Sequence, residues 1–331
     1  MIKKIMGAFE SIKKALIVLV LFVALFTIVV IATGSMNVLK QANASLILIA
    51  ALAFLASVFI WLISWAWIIK KDYNISYASL LLIGFSSLFA SLTPMQLGAD
   101  ALRALLLKET YKVPFSKGIS ASMFVKGLKF FALLIVSLLT FFFLVANTKL
   151  NLILLLLIVS GLFVIFIATA LFLFPFSKVA AFFISSILTK LTKKIRFLEP
   201  ASAFFLQYSN YLKRQSLHLF SLLLLCVISW FFEFLAFTLS FTALNIFLPL
   251  HSFILLFVIV AILERVPFMP RGLLFVEAAS YLLLSTSFAG LSQKQIVSFL
   301  AIFDFVRIVV PVVLSMIVFT SCYRTLRSSK K

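Results

Sequence analysis

The sequence is poor in cysteine, histidine and acidic side chains, and each shortage excludes a kind of site. Its two cysteines, Cys226 and Cys322, are too few and too far apart along the chain for a disulfide framework or a metal site. The two histidines, His218 and His251, lie at opposite ends of one predicted span, which argues against joint ligation. The nine acids are scattered, so no catalytic cluster is visible. The sequence therefore predicts no enzyme active site, no metal and no cofactor.

Charge of any kind is scarce, whereas apolar side chains are abundant. Charged residues make up 11% and hydrophobic residues 64% of the 331 residues, against about 25% and about 45–50% in soluble domains. The chain is therefore predicted to be an integral membrane protein, with length for about six to eight spans. The net charge of +20 collects in loops, so membrane topology explains it and nucleic acid is not expected as a partner.

Apolar runs predict an all-α polytopic bundle of six full spans. These are residues 15–32, 44–69, 119–146, 152–174, 217–247 and 296–320. Most of the 29 lysines and arginines then fall in loops and tails on one face, which the positive-inside rule assigns to the cytoplasm. Both termini are expected there, in a multi-pass protein of the cell membrane with lipids as its partners. The oligomeric state stays open, a homodimer included.

Two further apolar segments, residues 93–100 and 266–278, are interrupted by proline and glycine. Broken backbone at membrane depth is tolerated only where it is buried in protein or lines a wet cavity. We therefore expect two re-entrant helical hairpins that enter from opposite faces. The alternative of eight full spans would place the basic residues of 103–117 outside, against the charge rule. The residues expected to break the helices are Pro94, Gly98, Pro267, Pro270 and Gly272.

The two interrupted segments occupy matching places in the chain, which predicts inverted repeats. The half-repeats cover about residues 44–146 and 217–320 of a single polytopic domain, 1–331, and a cytoplasmic amphipathic linker of about residues 175–215 joins them. Paired, interrupted segments of this kind are typical of transporter binding sites. Chance similarity between two apolar, proline-containing stretches is the alternative.

The interrupted segments also carry a family resemblance. T-P-M-Q-L-G-A-D-x-x-R from Thr93, V-P-F-M-P-R-G-L-L-F-V-E-A from Val266 and a late D-F-V-R resemble the lysylphosphatidylglycerol synthase transmembrane-region family, also described as the flippase-like domain family. The resemblance covers almost the entire chain and implies a lipid translocase. The best-understood members of that family move aminoacylated phosphatidylglycerol between leaflets. The family's soluble aminoacyl-transferase domain is not expected here, so no synthase activity is predicted.

The chain departs from the family pattern at four positions. Arg271 replaces one glycine of the second motif, Leu274 stands where another is expected, and Lys126 stands where the family resemblance implies arginine. Asp100 takes the place of the glutamate in the first motif. A bulkier and more positive loop suggests a headgroup different from that of the family's best-known members.

A lipid translocase needs fixed positive charge for a phosphate, and acids that balance this charge when the site is empty. Charged residues in membrane segments are costly and mark functional sites, and arginine suits bidentate phosphate capture. The alternative is that these charges only pair with one another to lock the bundle. The candidate headgroup-binding residues are Asp100, Arg103, Lys126, Lys129, Arg271, Glu277, Asp304 and Arg307.

Three classes of function follow from this reading of the chain. We expect a translocase that moves an anionic or phosphate-containing lipid headgroup, modified or polyprenol-linked lipids included. A membrane-embedded lipid- or polyprenol-linked transferase is the alternative, and an accessory subunit of such an enzyme is another.

Overall fold

Helices make up almost all of the described chain. The computed structural model describes residues 2–92, 97–147, 152–173, 186, 218–264, 274–287 and 291–328, and no strand occurs within them. This confirms the predicted all-α fold. The predicted linker at 175–215 lies almost entirely outside the described residues.

Helices occur in both halves of the described chain. The first half of the chain forms α1 (Ile2–Ala32), α2 (Met36–Lys40), α3 (Ala44–Asp72), α4 (Tyr77–Ser86), α5 (Leu97–Tyr111), α6 (Phe115–Asn147) and α7 (Leu152–Leu173). The second half forms α8 (Leu219–Thr242), α9 (Leu250–Leu263), α10 (Phe275–Ser287), α11 (Gln293–Asp304) and α12 (Val310–Ser328). A 3-10 turn covers Leu88–Ser91, and a π-helical segment, Phe305–Val309, joins α11 to α12.

Five stretches of the described chain are long and apolar enough to cross a membrane. They are Ala15–Ala32, Ala44–Asp72, Phe115–Phe142, Leu219–Thr242 and Gln293–Ser321. Each coincides with a predicted span, and the sixth predicted span corresponds to α7, a helix of 22 residues. The protein is therefore a multi-pass membrane protein.

Short helices flank the two predicted breaks. Helices α4, α9 and α10 have 10, 14 and 13 residues. At about 1.5 Å per residue, none of them reaches across a hydrocarbon core of about 30 Å. Their lengths suit helices that enter and return, and the re-entrant topology itself stays a prediction. The breaks at residues 93–96 and 265–273 lie outside the described residues.

The chain forms two compact units. The first unit comprises Met1–Phe59, Gly84–Leu102 and Ser229–Lys331. Its core includes a set of phenylalanine rings from α8, α9 and α11, in which Phe241 stacks on Phe299 with 3.6 Å between ring centroids. Phe237 meets Phe257 and Phe303 edge to face. These contacts fix α11, which carries one of the predicted site residues at its end.

The second unit comprises Ile60–Ile83 and Arg103–Ile228. Helices α6 and α7 pack against each other along much of their length. Helix α5 approaches α6 closely, because a Cβ atom added at Gly118 would lie 2.9 Å from the Cα atom of Ala104. Only glycine allows this approach, which brings Arg103 next to the inner face of α6.

Candidate functional site

The first unit contains a buried ion triad of Glu277, Asp304 and Arg307. Arg307 Nε donates to Asp304 Oδ1 at 2.8 Å, and Arg307 Nη2 lies 2.8 Å from the same oxygen. Nη2 also donates to Glu277 Oε1. All three side chains are less than one-tenth exposed. The triad therefore connects α10, the end of α11 and the π-helical segment.

Arg307 lies in the π-helical segment, which explains where its side chain points. Asp304 ends α11, and the wider turns of Phe305–Val309 follow at once. Pro311 is the second residue of α12 and has no backbone N–H. It therefore cannot donate the hydrogen bond that a regular α-helix would form to the carbonyl of Arg307. Single π turns of this kind often mark functional sites. Here the turn brings the guanidinium within reach of both carboxylates.

Leu274, the residue before α10, has a backbone conformation that favours glycine. Its φ is 68°, and its carbonyl accepts from the amide of Ala278. A residue with a Cβ atom pays about 1–2 kcal/mol for this left-handed conformation. The position is one where the family resemblance implies glycine, and glycine adopts a positive φ without steric cost.

The second unit contains a buried basic cluster, Arg103, Lys126 and Lys129. Arg103 is completely buried, and the two lysines are only 8% and 9% exposed. Arg103 Nη1 donates to Ser122 Oγ at 3.4 Å. Ser122, Lys126 and Lys129 follow helical spacing on α6, so one face of that helix carries all three. Positive charge is thereby concentrated on one side of α6.

Two tryptophans of α3 flank Arg103. Its guanidinium carbon lies 4.8 Å from the ring centroid of Trp61 and 4.9 Å from that of Trp65. Lys129 Nζ lies 6.0 Å from the Trp61 ring. Such cation–π contacts contribute about 0.5–2 kcal/mol each. The indoles hold the guanidinium in a fixed place and offer additional buried N–H donors.

The structure places the predicted site residues in different surroundings. Glu277, Asp304 and Arg307 form the ion triad, whereas Arg103, Lys126 and Lys129 form the basic cluster. Asp100 is buried in the first turn of α5. Gly98 lies in that same helical turn, after the predicted break and not in it. The remaining predicted residues, Pro94, Pro267, Pro270, Arg271 and Gly272, lie outside the described residues.

Sequence reasoning missed Trp61, Trp65 and Ser122 as parts of a site. Three tryptophans near the basic end of α3 indicate an interfacial belt, yet Trp65 is completely buried against Arg103. The spacing of Trp61 and Trp65, four residues apart, shows that they share a helix face. It does not show that an arginine from another helix lies on that face.

A family model described as Lysylphosphatidylglycerol synthase TM region matches residues 11–315. No curated protein and no solved structure matches the chain. The matched range includes the ion triad and the basic cluster.

Proposed function

Because this chain belongs to the lysylphosphatidylglycerol synthase transmembrane-region family, we propose that it is a lipid translocase for an anionic, phosphate-containing headgroup. It resides in the plasma membrane with both termini in the cytoplasm, as the distribution of lysine and arginine indicates. Its partners are membrane lipids.

The basic cluster is the observation that carries the proposal. Lys126 and Lys129 are buried on an apolar span, where each charged side chain costs about 2.5–3.5 kcal/mol on insertion scales. Arg103 is buried on α5. Three cations on neighbouring helix faces make the local potential more positive. A positive potential attracts a phosphate diester with net negative charge, so the cluster favours anionic headgroups over zwitterionic ones.

The chemistry of each side chain suits a phosphate. The guanidinium of Arg103 presents a planar set of donors that can bind two phosphate oxygens at once. The ammonium groups of Lys126 and Lys129 add charge without a fixed orientation, so headgroups of different shape can be accepted. The indole rings fix the arginine before the lipid arrives, which lowers the entropic cost of binding.

The ion triad has a different part in the proposal. Two carboxylates already engage Arg307, so this arginine holds α10 against the π-helical segment and is not offered to a phosphate. We assign the triad the role of holding α10, α11 and the π-helical segment together during lipid movement.

Movement of labelled lipid in vesicles tests the proposal. The purified protein is reconstituted into phosphatidylglycerol and phosphatidylcholine vesicles with a trace of phosphatidylglycerol labelled on its acyl chain with a nitrobenzoxadiazole dye. External dithionite bleaches the dye in the outer leaflet only. In vesicles without protein bleaching stops near half of the signal, and with the wild-type protein we expect it to approach completion.

Matched lysine variants locate the site. Lys126→Ala should bring bleaching back toward half, whereas Lys108→Ala, which removes an exposed lysine of α5, should behave as the wild type. Wild-type vesicles that never bleach beyond half would contradict translocation. Equal loss of movement in both variants would contradict the assignment to the basic cluster.

A further inference from the structure

A cavity of about 210 Å³ lies in the first unit, lined by side chains of α1, α2, α11 and the π-helical segment. Its walls are apolar apart from Thr27 and Asp304. A cavity of about 150 Å³ holds a benzene molecule. This cavity therefore has room for the end of a hydrocarbon chain and not for a whole lipid.

The cavity opens at the surface that a membrane protein turns toward lipid. Two of its lining residues, Val23 and Phe305, are 41% and 47% exposed. Both stand on long apolar stretches, where exposed side chains meet acyl chains and not water. A ligand for this cavity therefore arrives from the bilayer and carries an apolar chain.

Asp304 supplies the one charged group in the wall. Its residue is 3% exposed, and its Oδ1 accepts from Arg307. Among the described residues no donor reaches Oδ2 of Asp304, and the carboxyl of Glu277 lies close to that of Asp304. The hydroxyl of Thr27 already donates to the carbonyl of Val23 at 2.7 Å. A buried carboxylate oxygen without a partner is unfavourable, and a donor that reaches it from the cavity removes that cost.

We propose that the cavity binds the end of a membrane-borne long-chain primary alcohol, with the hydroxyl against Asp304. A hydroxyl donates to a carboxylate and accepts from a protonated carboxylic acid, so it fits either state of Asp304. It brings no charge into walls formed by side chains such as Phe22, Phe26 and Val30. This site shares no residue with the basic cluster and is a second ligand site beside the proposed lipid movement.

A long-chain amine is the competing chemistry, because the triad has two carboxylates for one guanidinium. The guanidinium of Arg307 nevertheless lies 2.8 Å from Asp304 Oδ1, so it already offsets part of the negative charge that would attract an ammonium. An ammonium would also lose its water among apolar walls. The neutral donor is therefore favoured.

Photolabelling of the full-length protein in detergent tests this site. The probes are a diazirine-bearing dodecanol and the methyl ether of the same compound, which keeps the chain and removes the donor. We expect labelled peptides from α1 and the π-helical segment, with about tenfold more labelling by the alcohol, the ratio that one hydrogen bond to a charged group supports. Unlabelled dodecanol should compete, and dodecane and dodecylamine should compete less well.

Two variants show whether the labelled place is the cavity. Ala301→Phe fills the cavity from a lining residue outside the triad. We expect it to reduce labelling by about tenfold, equivalent to about 1.4 kcal/mol of binding free energy. Ala56→Phe makes the same change at a half-buried alanine of α3 that does not line the cavity, and labelling should stay unchanged. Asp304→Ala should remove the preference for the alcohol over the ether while chain labelling persists.

Several results would overturn the proposal. Equal labelling by the alcohol and the ether would show that no hydroxyl is recognised. Better competition by dodecylamine would show a site for cations. Unchanged labelling in Ala301→Phe would place the probe elsewhere on the protein. None of these results depends on lipid movement, so each can be told apart from a failure of the translocase proposal.

Discussion

The ion triad and the basic cluster bury charge in opposite ways. In the triad, the guanidinium of Arg307 meets two carboxylates at hydrogen-bond distance. In the basic cluster, Arg103 lies against two indole rings and a serine hydroxyl, with two lysines on the same face of α6. Charges that are satisfied by one another stabilise a fold. Basic side chains gathered on one helix face, with indole rings against the arginine, are suited to a ligand of negative charge.

This difference predicts that variants of the two regions separate stability from transport. Triad variants should change the free energy of unfolding first and transport only as a result. Cluster variants should change transport while the protein stays folded. The predictions below are ordered by the size of the expected effect.

The largest effect is expected for Arg307→Ala. Removing the guanidinium leaves two buried carboxylates without their common partner, and the loss of one member of a buried ion pair costs about 3–5 kcal/mol. Denaturant or thermal unfolding in detergent measures this loss. A variant that unfolds like the wild type and yet moves no lipid would give Arg307 the role that we assign to the basic cluster.

A smaller effect, on transport, is expected for Arg103→Lys. The charge stays, but the planar donor set and its stacking between Trp61 and Trp65 are lost. We expect lipid movement to fall about tenfold, equivalent to about 1.4 kcal/mol, with unfolding close to that of the wild type. Lys108→Arg, a charge-conserving exchange at an exposed position of α5 outside the cluster, serves as the control and should leave lipid movement unchanged. Full activity of Arg103→Lys would show that charge alone is recognised.

Trp65→Phe should reduce lipid movement by less than Arg103→Lys does. A benzene ring keeps part of the cation–π attraction to Arg103 but lacks the indole N–H, and the difference is about 0.5–1 kcal/mol. Transport assays should show a loss of a fewfold. The same substitution at Trp67, which contacts His218 and not Arg103, is the matched control. Equal effects at both positions would point to general packing.

The smallest effect is a gain in stability for Leu274→Gly. Glycine adopts a positive φ without steric cost, which recovers about 1–2 kcal/mol, and its greater freedom in the unfolded chain takes back about 0.5–1 kcal/mol. The side chain lost is half exposed. The midpoint of unfolding should therefore rise slightly. A marked fall would show that the leucine side chain packs against something that the backbone conformation does not reveal.

The sequence predicted the membrane-spanning helices well, because the length and hydropathy of an apolar run can be measured on that run alone. The predicted span at residues 44–69 became α3, Ala44–Asp72. The pairing of Asp304 with Arg307 could also be read locally, since residues three apart share a helix face. The partnership of Glu277 with the same arginine joins residues from different helices, so the sequence could name it only as one alternative.

Tertiary packing decided what the sequence could not show. Trp65 stands beside a basic helix end, where tryptophan is typical of an interface, and its burial depends on the arrival of Arg103 from α5. That arrival depends on Gly118, whose missing side chain lets α5 and α6 meet. No pattern along α3 contains this information. The inverted repeats and the re-entrant topology, which depend on the breaks at residues 93–96 and 265–273 and on the membrane, stay predictions.

The measurement that tests the central claim most directly is headgroup selectivity. The ratio of bleaching rates for acyl-labelled phosphatidylglycerol and acyl-labelled phosphatidylcholine is measured in vesicles with the wild-type protein and with Lys126→Gln/Lys129→Gln. For the wild type we expect the anionic lipid to move faster, and for the double variant we expect the two rates to converge while unfolding in detergent is unchanged. A ratio that stays the same in the double variant would contradict the assignment of the basic cluster to the lipid headgroup.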